Sequence, residues 1–349
     1  MRLLVAGDVN LMGVTDPSVP FARVRERFAA ADVVFCNLEC NLHSPDKVSV
    51  ENEGFFVDPQ VGAAVLEGAQ VTAVGLANNV TYGEGPIAAT LAQLQQSGIA
   101  HTGAGLDSAM ARRPAIVERG GLRVGFLQRT SVYWPTNHEA RKNAAGVAVI
   151  RGHTAYRVRM HKERPDIPPL NRPGIPPEVI TWADPVYLAE FKAEIAALKR
   201  EADVVVVSCH WGLWKEVLGY MTEIAHAAID AGADVVLGHG PHFFLPVECY
   251  RGKPIIYGLG SFSFHTGHGG RKHGDWVGLM AEFDCDRGVG IRGASLQFVR
   301  HNDANETVPC QLVDEAESLE ELTRTSAAMN CRMSANGDTV NLLLEGSLK

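Results

Sequence analysis

Apolar and β-branched residues fall in short runs along this chain. The runs are separated by stretches in which apolar positions recur at steps of three and four. That alternation predicts strands joined by helices, the pattern of an α/β protein. The predicted strands are LLVA (3–6), DVVFC (32–36), VTAVG (71–75), LRVGFLQ (122–128), DVVVVSC (203–209), DVVLG (234–238) and PIIYGLG (254–260). Runs near 277–283 and 293–299 are expected to add edge or second-sheet strands. Leu188, Phe191, Ile195 and Leu198 form the apolar stripe of one predicted helix; Met221, Ile224, Ala225, Ala228 and Ile229 form that of another, with Gly232 suited to cap it.

Two regions leave this alternation. From about 151 to 184 the chain is rich in proline and shows no period, so it reads as an inserted loop. Its first part carries a local excess of Arg and Lys, which is either a solvated loop or a lid that meets an anionic substrate through Arg157 and Arg159. Beyond about residue 300 the sequence turns polar and ends in a predicted helix and a short tail, with no chemistry assigned to it. The expected organisation is therefore one domain over 1–300, carrying the insertion, and an extension over 301–349 that packs on it.

Composition narrows the class further. A chain of 349 residues with 46% hydrophobic and 21% charged residues has the balance of a globular, loop-rich enzyme rather than a disordered segment. A formal net charge of -8 argues against nucleic-acid or anionic-membrane partners, since phosphate binding needs clustered Lys and Arg. The start, MRLLVAGDVN, has too few apolar residues for a signal peptide or membrane anchor, and the expected location is cytoplasmic. The seven cysteines are scattered without a C-x-x-C pair, which points to reduced thiols and places Cys209 in the core.

The chemistry lies where the strands end. Asp8 and Asn10 follow LLVAG, Asn37 and Glu39 follow DVVFC, and Asn78 and Asn79 follow VTAVGLA. His210 follows DVVVVSC, and His239 and His242 follow DVVLG. In a largely parallel sheet the carboxyl ends of the strands lie along one edge, so loops leaving that edge converge on one crevice. A single polar residue after a strand is usually a turn or cap. Five strand ends that all carry metal-ligand types point instead to a shared site. Carboxylate, amide and imidazole ligands without thiolate suit manganese, iron, zinc or cobalt and disfavour a structural zinc site. Glu39 is placed to span two ions, and a two-ion centre generates hydroxide from water and stabilises an oxyanion.

These residues resemble the CapA family of poly-gamma-glutamate capsule biosynthesis proteins, within the calcineurin-like metallophosphoesterase superfamily. The resemblance rests on an ordered set of motifs: GDVNLMG, CNLEC, GLANNVTYGEGP, TGAGLDSAMARRP, SCHWG, AIDAGADVVLGHGPH and GKPIIYGLGSFSF. It implies a four-layer α/β/β/α sandwich with a dinuclear metal centre, holding two divalent transition metal ions of manganese, iron or zinc. By that resemblance Asp8 binds the first metal, Asn10 stands where relatives have a histidine, and Glu39 bridges. Asn79 and His210 bind the second metal, His239 lies beside it and His242 returns to the first. The superfamily histidine after the metal-binding asparagine is Val80 here, and Ser261 stands where relatives often have asparagine. A general acid contributes about 10²–10⁴-fold, so the loop FHTGHGGRKHGD, with His265, His268 and His273, becomes the candidate replacement. His265 and Asn78 are thus the expected catalytic side chains. The implied activity is a metal-dependent hydrolase acting on a small-molecule or polymeric anionic substrate, either a phosphoester or a gamma-glutamyl-type amide. The alternative is a noncatalytic accessory protein of capsule biosynthesis that binds an anionic polymer or partner.

Overall fold

In the computed structural model the described residues are 1–45, 55–158, 174, 176–264 and 276–344. The predicted strands assemble into two large mixed sheets. The first is ten-stranded, and its central strand, Arg2–Asn10, runs parallel to Val33–Leu38, which is followed by Ala73–Gly75 and Ala100–Thr102, also parallel. The second is six-stranded and contains the parallel set Leu122–Thr130, Val204–His210, Val235–His239 and Lys253–Ile256. Strands buried on both faces need no polar alternation. Accordingly, every residue of Val204–His210 and of Val235–His239 is buried.

Alternate residues of these strands enter different apolar clusters. Leu3, Val5, Val33 and Phe35 of the first sheet share one cluster with Val124, Phe126, Val206 and Leu237 of the second. Within it the Phe35 and Phe126 rings stack at 4.7 Å between centroids and 4° between planes. Leu4, Ala6, Val34 and Cys36 point the other way, into a cluster with Phe28, Leu66 and Leu91 from helices Arg25–Ala29, Pro59–Gly68 and Glu84–Gln96. Val205, Val207 and Val236 pack with Phe191, Ile195, Ile224 and Ala228 from helices Pro185–Lys199 and Gly219–Asp230. The helix stripes read from spacing are those that face the second sheet.

Three regions differ from expectation. The runs near 277–283 and 293–299 are interior strands, Gly278–Asp286 and Gly290–His301, antiparallel to their neighbours in the first sheet. They are covered because the polar C-terminal stretch supplies, besides the helix Ala316–Ala327, a hairpin of Arg332–Asn336 and Thr339–Leu343 that pairs alongside. The apolar run at 254–260 is split: Lys253–Ile256 belongs to the second sheet, and the chain then crosses to Ser261–Phe264, which pairs with the end of Arg2–Asn10. The flanks of the proline-rich insertion form an antiparallel ribbon, Gly152–Arg157 with Glu178–Ala183. It lies largely exposed, so no burial imposed an apolar period on it. Among the described residues no helix is long and apolar enough to cross a membrane.

The ring stack between the sheets sets a packing expectation. Phe35→Ala should lower the unfolding free energy by about 3–5 kcal/mol, read from urea denaturation of the purified protein. A loss near zero would show that the two sheets do not depend on this contact.

Candidate metal centre

The crossing segment brings the carboxyl ends of both parallel sets together. Asp8 and Asn10 close the strand Arg2–Asn10, Asn37 lies near the end of Val33–Leu38, and Glu39 follows it. His210 and His239 end adjacent parallel strands and are register partners. Asp8, Glu39, His210, His239 and His242 are all buried. Two glycines make this approach possible. A Cβ at Gly238 would stand 1.9 Å from the Tyr257 carbonyl oxygen, and Gly240 has φ +105. His242 itself sits at φ +63, a conformation that costs a non-glycine residue about 1 kcal/mol or more.

The contacts are specific. Asp8 Oδ1 accepts from Asn37 Nδ2 at 2.9 Å and lies 3.1 Å from His239 Nδ1. Asp8 Oδ2 accepts the Gly240 N–H at 3.1 Å and lies 3.5 Å from His242 Nδ1. Glu39 Oε1 stands 3.7 Å from His210 Nε2 and 3.8 Å from His242 Nε2. Both Glu39 oxygens, Asn79 Oδ1, His210 Nε2 and His239 Nε2 are buried without a hydrogen-bond partner. An orphaned buried polar atom costs about 1–3 kcal/mol, and all of these are ligand atoms of hard or borderline metals. Ligand atoms of Asp8, Glu39 and His242 lie within 4.8 Å of one another. The residues therefore fit a bound cation: it satisfies atoms that nothing else in the protein satisfies.

The electrostatics agree. Burial pushes the His210 imidazole down to about 3, so it is neutral, the form that ligates a metal. Burial works to raise the Asp8 carboxyl, but the His239 hydrogen bond and the imidazoles around it outweigh burial and hold Asp8 below its ordinary range. Burial, and then the negative charge of Asp8, push Glu39 well above the ordinary carboxylate value. A divalent cation between them reverses that penalty.

Not every expected residue joins the cluster in the same way. Asn10 Oδ1 accepts the Met12 N–H at 2.9 Å, while its Nδ2 is buried without a partner. Asn78 shapes the turn: its Oδ1 takes the Val80 and Thr81 N–H groups at 3.2 and 3.0 Å, and its Nδ2 donates to the Leu38 carbonyl at 2.9 Å. It holds the loop that presents Asn79. Val80 is buried and adds no polar side chain. Arg157 is bound by Glu178 at 2.6 Å on the exposed ribbon. His265, His268, His273 and Arg159 lie outside the described residues.

Other neighbours line the histidines: Ser261, which stands where relatives often have asparagine, and two residues without a sequence signal, Thr130 and Trp276. Thr130 Oγ1 lies 3.3 Å from His210 Nδ1, Ser261 Oγ lies 3.3 Å from His242 Nδ1, and the Trp276 ring stacks on His242 at 5.3 Å. His138, from a loop with no motif, accepts the Trp134 N–H at 3.0 Å through Nδ1 and meets the Thr81 carbonyl at 3.0 Å through Nε2. It joins its loop to the one carrying Asn79, with both ring nitrogens engaged by backbone.

An α/β scaffold that gathers carboxylates, amides and imidazoles at the ends of two parallel strand sets defines the class: a metallophosphoesterase-like protein with a candidate metal centre. The chain belongs to the bacterial capsule synthesis protein family PGA_cap, whose profile matches residues 2–266. It is 32% identical over 242 residues to a "Probable polyglutamine synthesis accessory protein" of Mycobacterium tuberculosis, covering 66% of this chain and 55% of that protein. It is 27% identical over 253 residues to the "PGA biosynthesis protein CapA" of Bacillus subtilis, covering 71% of this chain and 57% of that one. The chain thus spans a little over half the length of these curated relatives. Among solved structures, a hypothetical protein from Thermus thermophilus aligns with TM-score 0.45 and 17% identity over 85% of this chain and 98% of its own.

The buried His138 gives a pH expectation. Burial pushes its imidazole from 6.5 down to about 4. The folded state then keeps it neutral while the unfolded chain takes up a proton, so stability is lost as pH falls from 6.5 toward 4. Chelator-treated wild type should lose about 2 kcal/mol more than His138→Gln between pH 7 and pH 5, read by urea unfolding at both values. Parallel losses in the two proteins would mean that this imidazole is not desolvated.

Proposed function

We propose that the chain is a metal-dependent hydrolase with a dinuclear centre, and that its three large apolar clusters are the interlayers of a four-layer α/β/β/α sandwich. The observation that carries this reading is Glu39. It is a fully buried carboxylate with both oxygens unpartnered, standing between His210 and His242 at 3.7 and 3.8 Å. In this reading Asp8, Glu39 and His242 would hold one ion, and Glu39, Asn79, His210 and His239 a second. When bound, divalent ions of manganese, iron or zinc supply Lewis acidity and a nucleophile derived from water near neutral pH. The protein's own groups do the rest. Asp8 and Thr130 fix the orientation of the histidine rings they contact, and the walls around His210 and His239 exclude bulk water. Asn10 presents an amide N–H rather than a ligand atom, which assigns it to a substrate oxygen.

The substrate in this reading is anionic, a phosphoester or a gamma-glutamyl-type amide, because both present an oxygen that gains negative charge during attack. The two relatives are named for polyglutamine synthesis and for PGA biosynthesis, which favours the amide or its polymer. Arg157 and Arg159 remain proposed substrate contacts on the insertion, and His265 the proposed proton donor.

A second reading is an accessory protein that keeps the ions and binds an anionic polymer without cleaving it. What favours it is the set of groups nearest the missing histidine: Val80 is apolar, Asn78 is engaged in its turn, and both nitrogens of His138 are held by backbone. One set of measurements separates the two. Purified protein should contain about two equivalents of transition metal, and Asp8→Ala and His210→Ala should each lose metal and turnover. Assays on phosphomonoesters, phosphodiesters and gamma-glutamyl amides should show hydrolysis that a chelator stops. Saturable, metal-linked binding without hydrolysis supports the second reading, and full activity in metal-free protein ends the first.

A further inference from the structure

We infer that Gln128 is a positioning residue for the metal centre, acting through Asn37 on Asp8 and His239. The inference rests on the metal-centre reading and concerns how the Asp8 carboxylate is held beside His239. Gln128 lies on Leu122–Thr130 of the second sheet and is fully buried. Its carboxamide crosses to the first-sheet side, where the Ala77 N–H donates to Oε1 at 2.6 Å. A backbone N–H can only donate, so this contact fixes which end of the amide is oxygen.

The direction then propagates. Gln128 Nε2 donates to Asn37 Oδ1 at 3.0 Å, and Asn78 Nδ2 lies 3.4 Å from the same oxygen. With Oδ1 held on that side, Asn37 turns Nδ2 to Asp8 Oδ1 at 2.9 Å. The same Asp8 oxygen lies 3.1 Å from His239 Nδ1, so the Asn37 amide and the imidazole meet at one carboxylate atom. The other ring nitrogen, His239 Nε2, is one of the buried atoms without a partner. The Gln128 amide fills space that side chains would take: a Cβ at Gly75 would lie 2.4 Å from its carboxamide, and one at Gly103 2.8 Å from its Oε1. A single backbone N–H thereby orients the Asn37 amide that donates to the carboxylate beside His239. Partners of ligating groups in this position typically change metal affinity about 10–100-fold when removed.

The test uses the full chain, stripped of metal and reloaded with Co²⁺, with affinity read by competition against a chelating indicator and coordination read from the visible absorption. Gln128→Glu keeps the length and the acceptor for Ala77 but removes the donor to Asn37. Gln128→Met is neutral and of similar length, and stands in if the first variant does not fold. Ser208→Ala is the packing control, since Ser208 Oγ is the other neighbour of Gln128 Nε2, at 3.2 Å, and leads nowhere toward Asp8. The expected result is a Co²⁺ affinity lower by about 10–100-fold and an altered spectrum in the folded Gln128 variants, with Ser208→Ala like wild type. Folded Gln128 variants with wild-type affinity and spectrum overturn the inference. So does Ser208→Ala weakening Co²⁺ as much as they do, because the effect is then one of packing. Wild type that binds no Co²⁺ overturns the underlying metal-centre reading instead.

Discussion

Two carboxylates buried side by side are the constraint on which the rest of this protein turns. Asp8 and Glu39 come from adjacent parallel strands of one sheet, both fully out of water, and the charge of each raises the cost of the other. Imidazoles from the second sheet offset this only in part, since burial keeps His210 neutral. A bound cation would balance these charges, and the two sheets together supply its candidate ligands. Neither sheet holds a complete set: the carboxylates and asparagines come from the first, and the histidines from the second or the segment leaving it.

That division explains why so much of the fold is devoted to holding the sheets in register. The chain crosses between them at 257–260, where the Asp8 N–H donates to the Gly260 carbonyl at 2.9 Å. Phe35 and Phe126 stack across the apolar interface, and the Gln128 carboxamide crosses it as a polar link. A shift of one residue in either sheet would send its ligands to the opposite face. Continuous burial of Val204–His210 and Val235–His239 gives those strands no tolerance for slip, and their last residues are the candidate ligands His210 and His239.

The strands and the ligand types were legible in the sequence because both obey local rules. Valine runs bounded by glycine mark buried strands, and a polar residue of ligand type after each marks the edge they share. What escaped was whatever depends on tertiary pairing. An alternating strand such as Gly278–Asp286 reads the same at an edge or inside a sheet, and only the C-terminal hairpin decides it. The ribbon around the proline-rich insertion left no apolar period because it is not buried. His138 and Gln128 belong to no motif; each matters through a partner that is distant in sequence, Thr81 for one and Asn37 for the other. Asn78 was legible as a residue of the site but not in its use, since an asparagine that caps a turn and one that meets a substrate look alike until their hydrogen bonds are traced.

Holding ions and delivering protons are separable demands, and in the proposed hydrolase reading this chain meets them with different parts. The ligand cage is built from strand ends, whose positions the two sheets fix. The position of the superfamily's proton-handling histidine carries Val80, which is buried, and Asn78 and His138 beside it are held by backbone. A proton donor for a leaving group must then come from a loop outside the cage or from solvent. A leaving group that is poor without protonation, such as an amine, needs that loop; one that departs as a stabilised anion does not. Which of the two readings of this protein is correct thus reduces to the chemistry of the leaving group, because the cage serves binding and hydrolysis equally well.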